Sequence, residues 1–316
     1  MKYFVEICKM PQAKLHKYLF AVLKEYGYEV YDGDKYILGV GSNVLVTAHM
    51  DTVHKENVKT VKYEKDKYGD TIISSPQGIG GDDRCGIYII LSLLEDGYRP
   101  TILFTEDEEL GGLGAEAFVK DSLENPMLEN AITACGYMIE LDRAHDNDAV
   151  FYECDNPEFT EFIEKETGYK ETWGSFSDIS VIAPHFERAA VNLSCGYYKA
   201  HTTDEFVVWE EMLHTVKVVE GLLDQKVEKF EYIEADIWHK YSLGYTGTYG
   251  LNYGLSYKDE YDEPIALGIT YRFGNSDMYS EAWGYDKNEA LVEFFTEHPD
   301  VCFNDIKDVE EISYYL

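Results

Sequence analysis

Apolar residues in the first two-thirds of the chain follow two spacings, one helical and one strand-like. Residues 11 to about 27 place apolar side chains three and four positions apart, as one face of a helix requires, and the segment stops at a glycine. The same spacing recurs at residues 85–97 and 114–123. The pattern predicts a helix in each of these three segments.

Short runs of apolar, β-branched and aromatic residues lie between these helices. Such runs occupy residues 36–40, 43–50, 101–105 and 137–141, and a hairpin-like pair occupies residues 58–63 and 70–75. Strands that alternate with helices are typical of α/β proteins. We therefore expect an α/β fold with a doubly wound, mostly parallel mixed sheet flanked by helices, with ligand sites at the carboxyl ends of the strands.

The pattern changes from about residue 226. Tyrosines recur every four residues from Tyr241 to Tyr261, with glycines between them. Residues four apart share one face of a strand, and the glycines disfavour a helix. We predict hairpins or extended loops here, and hence a main domain at 1–225 followed by a small β-rich appendage at 226–316 of unknown role.

Composition then narrows the kind of protein. The 316 residues include 27 Lys+Arg and 60 Asp+Glu, a net charge of −33, and 45% are hydrophobic. This hydrophobic content is too high for a disordered acidic tail. The negative charge repels phosphate backbones and anionic lipid headgroups, so we expect neither nucleic acid nor a membrane as partner.

Cysteine usage and the N-terminus bear on the compartment. The six cysteines stand singly, without a CxxC pair, and no run of 18 apolar residues or signal-peptide pattern is found. We expect reduced thiols and a cytoplasmic protein.

Five short motifs place His, Asp or Glu at predicted strand ends. They are TAHMDTV (47–53), GIGGDDRCG (78–86), LFTEDEELGGLGA (103–115), MIELDRAHDND (138–148) and LSCGYYKAHTTDEFV (193–207). Histidine and carboxylate ligands together suit zinc, cobalt or manganese. The motifs therefore indicate a metal site.

Each motif also has a simpler interpretation when taken alone. His49 and Asp51 point to the same side of an extended segment, but an HxD sequence is more often an ordinary polar turn. A helix N-cap would explain one of Asp82 and Asp83, although not both. The four acids at 106–109 could form a solvated turn, yet the glycine pair that follows suggests close packing.

Taken in order, the five motifs resemble those of the co-catalytic two-zinc exopeptidase superfamily. The matching features are the HxDT segment, the GxxDD(K/R)xG segment, the strand ending in two glutamates before glycine, the later Asp and the late His before a Glu. That group includes zinc aminopeptidases, tripeptidases, carboxypeptidases and acyl-amino-acid deacylases. The resemblance covers about residues 35–225, with Arg84 where the family usually has Lys. It implies a catalytic domain with two divalent metal ions, zinc by preference or else cobalt or manganese.

The resemblance also implies roles for individual residues. It assigns His49, Asp82 and Asp142 to one metal, and Asp82, Glu109 and His201 to the other. It makes Asp51 the partner that orients His49, and Glu108 the general base for the attacking water.

A further segment, 174–184, is similar to one that lies near the pocket in the family, so we expect Ser177 and Asp178 to contact substrate. A capped turn into a strand would explain this segment equally well. His54, His145, His185 and His214 have no motif context and are expected to be surface or packing residues.

The implied activity is that of a metal-dependent exopeptidase acting on short peptides, an aminopeptidase by preference. Asp142 resembles the aminopeptidases, but Glu140 lies on the same face, and a Glu ligand is typical of carboxypeptidases and N-acyl-amino-acid deacylases. These alternatives and a non-catalytic binding module stay open. Asp142 and His201 lie only 59 positions apart, too close for the lid or dimerisation domain of some relatives, so a homo-oligomer is also left open.

Overall fold

The computed structural model describes residues 1–174, 176–234, 265–273, 276–284, 294, 298 and 306–312. Contacts between Cα atoms divide the chain into two compact units, Met1–Gly244 and Tyr245–Leu316. All five motifs lie in the first unit.

The described helices of the first unit are α1 (Lys2–Cys8), α2 (Gln12–Glu25), α3 (Gly81–Glu95), α4 (Leu113–Glu124), α5 (Pro126–Thr133), α6 (Pro157–Thr167), α7 (Asp178–Phe186) and α8 (Trp209–Leu223), with a 3₁₀ turn at Glu108–Leu110. Its described strands are β1 (Glu29–Gly33), β2 (Tyr36–Val40), β3 (Ser42–His49), β4 (Lys62–Lys65), β5 (Thr71–Ser74), β6 (Pro100–Thr105), β7 (Met138–Arg143), β8 (Asp148–Val150), β9 (Lys170–Thr172), β10 (Ala190–Ser194), β11 (Tyr197–Tyr198) and β12 (Phe206–Val208).

An eight-stranded mixed sheet with the order β1-β2-β6-β3-β7-β10-β8-β9 forms the centre of this unit. Its inner strands β6, β3, β7 and β10 are parallel, whereas β2 and β8 run antiparallel to their inner neighbours. A smaller antiparallel sheet has the order β11-β12-β5-β4. The predicted α/β fold with a mostly parallel mixed sheet is confirmed.

Helices cover both faces of the large sheet, because successive side chains of its inner strands point to opposite sides. Val46, Ile102 and Ile139 belong to the core shared with α3 and α8. Leu45 and Leu103 belong to the core shared with α4, α5 and α7. The parallel strands are therefore buried on both faces and meet solvent only at their ends.

The predicted elements lie close to their observed positions, with one clear difference. The hairpin strand predicted at 58–63 begins at Lys62, because the N–H groups of Lys59 and Thr60 bond to the Gln77 side chain instead of a strand. Helix α3 is assigned from Gly81, but Asp82 and Asp83 have non-helical φ and ψ angles. Its regular part therefore begins near residue 85, as predicted.

The chain between Asp142 and His201 contains only elements of the first unit. They are β8, α6, β9, α7, β10 and β11, and apart from Ser175 every residue of this stretch is described. No lid domain is inserted among these described residues. The short spacing thus predicts this feature correctly.

Residues beyond α8 return along the first unit. Glu231 forms a β-bridge with Arg188, and Glu234 forms one with Cys154. The Phe230 ring is buried against Phe159 and Phe162. The predicted domain boundary between residues 225 and 226 stays a prediction.

The second unit contains a three-stranded antiparallel sheet within its described residues. Its order is β14-β13-β15, from β13 (Ile265–Phe273), β14 (Ser276–Gly284) and β15 (Ile306–Ile312). The predicted β-rich C-terminal appendage is confirmed in this sheet. The repeat from Tyr241 to Tyr261 lies outside the described residues.

Two sequence-wide features can be compared with the described part of the chain. None of the helices placed there is both long and apolar enough to cross a membrane. The cysteines in this part are all buried and free of disulfides, namely Cys8, Cys85, Cys135, Cys154 and Cys195.

Candidate metal centre

The parallel strands of the large sheet end at one common edge and deliver the predicted ligands there. Strand β3 ends at His49, and Asp142 is the last residue but one of β7. Strand β6 ends at Thr105 and is followed by the 3₁₀ turn that carries Glu108 and Glu109. Because parallel strands share a carboxyl edge, side chains distant in sequence meet in space.

His49 is the centre of the first group. Its Nε2 lies 2.9 Å from Asp82 Oδ1 and 3.4 Å from Asp142 Oδ1. The imidazole is fully buried, and the side chain of each aspartate is about one-tenth exposed. One histidine and two carboxylates thus converge on a small volume, as the motifs predict.

His201 forms the second group with the other oxygen of Asp82. Its Nε2 lies 3.1 Å from Asp82 Oδ2 and 3.2 Å from Glu109 Oε2. The His201 side chain is 59% exposed, so this group opens toward solvent. The Asp82 carboxylate therefore lies between the two histidines, with one oxygen facing each.

The donor atoms fit divalent cations. Ligand atoms of His49, Asp82 and Glu109 lie within 4.8 Å of one another. Within the part of the chain that the structure describes, Glu109 Oε1 is buried without a hydrogen-bond partner, and an unpaired buried carboxylate oxygen is costly. Histidine nitrogen with carboxylate oxygen suits zinc, cobalt or manganese.

The neighbouring Asp83 also lies within 4.8 Å of His49 and Asp142. Both of its oxygens, however, accept backbone hydrogen bonds. Oδ1 accepts from Gly86 N–H at 2.8 Å, which caps the regular part of α3, and Oδ2 accepts from His49 N–H at 3.1 Å. The capping interpretation thus accounts for Asp83, whereas the carboxylate of Asp82 faces the two histidines.

Asp51 connects both sides of the site. Its Oδ1 lies 3.2 Å from His49 Nδ1 and accepts the Glu108 N–H at 3.1 Å. Its Oδ2 accepts the Glu109 N–H at 3.1 Å. The carboxylate therefore fixes the ring of a predicted ligand and the turn that carries the predicted base.

Glu108 is half-buried beside the two groups. Burial, followed by the negative charge of Asp142, raises the pKa of Glu108 to about 10. The side chain thus retains a proton at neutral pH while no cation is bound. Opposite charge nearby would favour its ionised form.

The two histidines have pKa values that respond to the same acids. Burial alone would lower the pKa of His49, but the Asp142, Asp51 and Asp82 carboxylates outweigh it and raise the pKa well above 6.5. Hydrogen bonds to Asp82 and Glu109 raise the pKa of His201 to about 11. Protons therefore occupy the nitrogens that a metal would use.

The structure separates Asp142 from Glu140. Asp142 faces His49, and its carboxylate accepts hydrogen bonds from Ser177 Oγ at 3.0 Å and Tyr197 OH at 3.3 Å. Glu140 is fully buried, and its Oε2 accepts the Ile179 N–H at 3.2 Å instead. Asp142 is the acid of β7 that lies with the histidine.

Ser177 and Asp178 are fully buried. Ser177 bonds to Asp142, and the Thr105 hydroxyl donates a hydrogen bond to Asp178. The strand interpretation of this segment is wrong, because it forms the start of α7, where the Ser177 N–H bonds to Ser180 Oγ at 3.1 Å. Direct contact of Ser177 and Asp178 with substrate stays a prediction.

Sequence reasoning gave no role to Glu205, although it belongs to the fifth motif. Its fully buried carboxylate lies 2.7 Å from His54 Nε2. His54 is thus more than a packing residue, whereas His145 stacks on Tyr198 as a packing residue would. The signal available was the glutamate following His201 in the family pattern.

The solved structures that share this fold include three peptidases. Aminopeptidase PepT from Bacillus cereus ATCC 10987 is 16% identical, with a TM-score of 0.53, over 70% of this chain and 96% of that one. A tripeptidase from Staphylococcus aureus subsp. aureus mu50 is 14% identical, with a TM-score of 0.53, over 70% and 95%. A TET aminopeptidase from the marine sediment archaeon Thaumarchaeota archaeon SCGC AB-539-E09 is 10% identical, with a TM-score of 0.51, over 71% and 96%.

No protein-family model and no curated protein matches the sequence. At 10%, 14% and 16% identity the likeness to the solved structures concerns the fold. The chain has the fold of these peptidases, which is the fold that its five motifs predict from their resemblance to two-zinc exopeptidases.

Proposed function

We propose that this protein is a metal-dependent aminopeptidase that hydrolyses short peptides. The observation that carries the proposal is the position of Asp82, whose two carboxylate oxygens face His49 and His201. A carboxylate shared by two histidine–carboxylate groups suits a pair of divalent cations of the kind used in peptide hydrolysis. The fold shared with aminopeptidases and a tripeptidase supports the same proposal.

The residues of the site fit two zinc ions, with cobalt and manganese as alternatives. One ion would be held by His49, Asp82 and Asp142, and the other by Asp82, Glu109 and His201. When bound, the ions supply Lewis-acid polarisation of a peptide carbonyl and lower the pKa of a water molecule.

The chain supplies the proton transfers and the positioning. Glu108 is proposed to accept a proton from the attacking water and to return it to the leaving amine. Its N–H bond to Asp51 holds the 3₁₀ turn beside the two histidines. Asp51 also bonds to His49 Nδ1, which leaves Nε2 free to act as a ligand.

The position of Asp142 supports an aminopeptidase over a carboxypeptidase or an N-acyl-amino-acid deacylase. The acid beside His49 is an aspartate, as in the aminopeptidases that the motifs resemble, and Glu140 bonds to the start of α7. We therefore base the proposed preference for substrates with a free N-terminus on Asp142.

Metal content measured beside a substrate panel tests the proposal. The protein is loaded with Zn²⁺ or Co²⁺, freed of excess metal, and assayed on tripeptides with free and acetylated N-termini. Up to two equivalents of metal and cleavage of only the free-amine peptides are expected. Cleavage of only the acetylated peptides would favour the deacylase or carboxypeptidase alternative. Two bound metals without turnover would favour a binding module.

A further inference from the structure

Glu205 lies outside the predicted ligand set, yet its carboxylate accepts three hydrogen bonds beside the centre. Oε2 accepts from Gly80 N–H at 2.7 Å and lies 2.7 Å from His54 Nε2. Oε1 accepts from Asp82 N–H at 3.0 Å. The bonds to Gly80 and Asp82 hold the turn that presents the shared carboxylate.

Glycines allow this turn to approach Glu205 and His54 closely. Gly78 and Gly80 have φ values of +82° and +68°, and a Cβ atom on Gly78 would collide with the His54 ring. A Cβ atom on Gly81 would lie 2.7 Å from the Tyr197 Cβ and 3.3 Å from Glu205 Oε1. Gly78 and Gly81 of the second motif are thus explained by close packing against His54, Tyr197 and Glu205.

The same loop holds Asp82 at two points. The segment between β11 and β12 carries both His201 and Glu205. His201 Nε2 meets the Asp82 carboxylate at 3.1 Å, while Glu205 accepts the Asp82 N–H at 3.0 Å. Backbone and side chain of Asp82 are therefore fixed from one loop.

We propose that Glu205, oriented by His54, is a positioning residue that aims the Asp82 carboxylate at both metal positions. The inference rests on the proposed function, since it assigns Asp82 to two metals. Glu205 contacts neither substrate nor metal in this scheme. It acts by fixing the backbone N–H of Asp82, as residues behind metal ligands do.

The Glu205→Gln substitution isolates this role. The amide of Gln has one oxygen that can accept and one NH₂ group that cannot. When the NH₂ group occupies the Oε1 position, only the bond from Asp82 N–H is lost. The bonds at Oε2 to Gly80 and His54 are retained in that orientation. The variant should therefore fold while Asp82 loses its backbone anchor.

A matched control is Glu210→Gln. Glu210 also accepts a backbone N–H, that of Thr71 at 2.6 Å, together with the Thr71 hydroxyl at 2.9 Å. It has no bond to Asp82 among the described residues. A general loss of stability from replacing a bonded glutamate would appear in both variants.

The experiment measures Co²⁺ affinity by chelator competition, the visible Co²⁺ spectrum, and amide hydrogen exchange of metal-free protein. Glu205→Gln is expected to bind Co²⁺ about 10–100-fold more weakly, with an altered spectrum and faster exchange at Asp82 than Glu210→Gln. Equal affinity, spectrum and exchange in the two variants would overturn the inference while wild type still binds Co²⁺. A wild-type protein that binds no Co²⁺ would overturn the proposed function together with the inference.

Variants of His54 provide a second route if Glu205→Gln does not fold. His54→Leu removes the donor to Glu205. In His54→Gln, the side-chain NH₂ group can donate to Glu205 from nearly the position of His54 Nε2. We expect His54→Leu to weaken Co²⁺ binding and His54→Gln to restore most of it. Equal affinities in both variants would contradict the role given to His54.

Discussion

The carboxylate of Asp51 accepts the backbone N–H of Glu108 at 3.1 Å, across 57 positions of sequence. The same carboxylate accepts the Glu109 N–H and bonds to His49 Nδ1. One buried side chain therefore holds the ring of a histidine and the course of the turn that follows β6. A substitution there is expected to disturb metal binding and turnover together.

Asp51→Asn tests this relationship. The amide group of Asn cannot accept at both ends, so at least one of the Glu108 N–H, Glu109 N–H and His49 contacts is lost. We expect metal affinity about 10–100-fold lower, measured by chelator competition. Asp66→Asn is the control, because Asp66 accepts two backbone N–H groups in an exposed turn. An equal loss in both variants would refute the role of Asp51.

Glu108→Gln separates catalysis from metal binding. The substitution keeps the shape of the side chain but removes its ability to take a proton. We expect kcat to fall about 10²–10⁴-fold with metal content unchanged. The matched variant is Glu116→Gln at an exposed position of α4, which should retain wild-type kcat. Full activity of Glu108→Gln would show that another group is the base.

Asp82→Asn and Asp83→Asn should have opposite consequences. Asp82 faces both histidines, so its amide variant is expected to lose metal at both positions. Asp83 accepts backbone bonds from Gly86 and His49, so its variant should lower the free energy of unfolding by about 1–3 kcal/mol and still bind metal. Metal analysis and denaturant unfolding measure the two effects. The assignment fails if the two phenotypes are exchanged.

The stability and the metal affinity of the protein should depend on pH, because two groups of the site hold protons in the metal-free fold. The folded pKa of His201 is raised to about 11 and that of Glu108 to about 10. Between their ordinary values and these raised ones, the folded state binds more protons than the unfolded state, so metal-free stability should fall as pH rises. Metals compete with the same protons, so affinity should rise with pH.

Thermal unfolding between pH 6.5 and pH 10, with metal and with chelator, checks this expectation. The difference in Tm between the two conditions should widen as pH rises. A constant difference would mean that metal does not displace these protons. The heat of Zn²⁺ binding, measured in buffers of different ionisation enthalpy, gives the number of protons that binding releases.

Truncated chains test whether residues 226–244 stabilise the first unit. Phe230 packs on Phe159 and Phe162, and its backbone bonds to Gly136 and Ala189 at 2.9 and 3.0 Å. A chain ending at 225 loses this buried ring, a change that costs about 3–5 kcal/mol. It should unfold at a lower temperature than a chain ending at 244. Equal Tm values would show that these contacts do not stabilise the first unit.

Much of the fold could be predicted because the inner strands are buried on both faces and therefore read as apolar runs. The strand end at His49, the acids after β6 and the acids at the end of β7 can be predicted for the same reason. The start of the hairpin strand cannot be predicted in this way, because Lys59 and Thr60 bond to the Gln77 side chain, which no strand pattern reveals.

The site was less fully visible than the fold. Motif resemblance named the residues that meet around Asp82, but it gave no role to Glu205, which acts through backbone N–H groups. A buried carboxylate with a structural task looks the same in sequence as an exposed one. Its partners lie more than a hundred positions away and become evident only in three dimensions.

The dispersal of the proposed ligands along the chain has a consequence for assembly. His49 and Asp82 are 33 positions apart, and the other proposed ligands come from the turn after β6, the end of β7 and the loop after β11. Closing such long loops costs entropy before any coordination bond is gained. A cation therefore cannot nucleate this protein from a short peptide, as it does in a zinc finger. The sheet would form first, and the proposed ions would enter a scaffold that is already built.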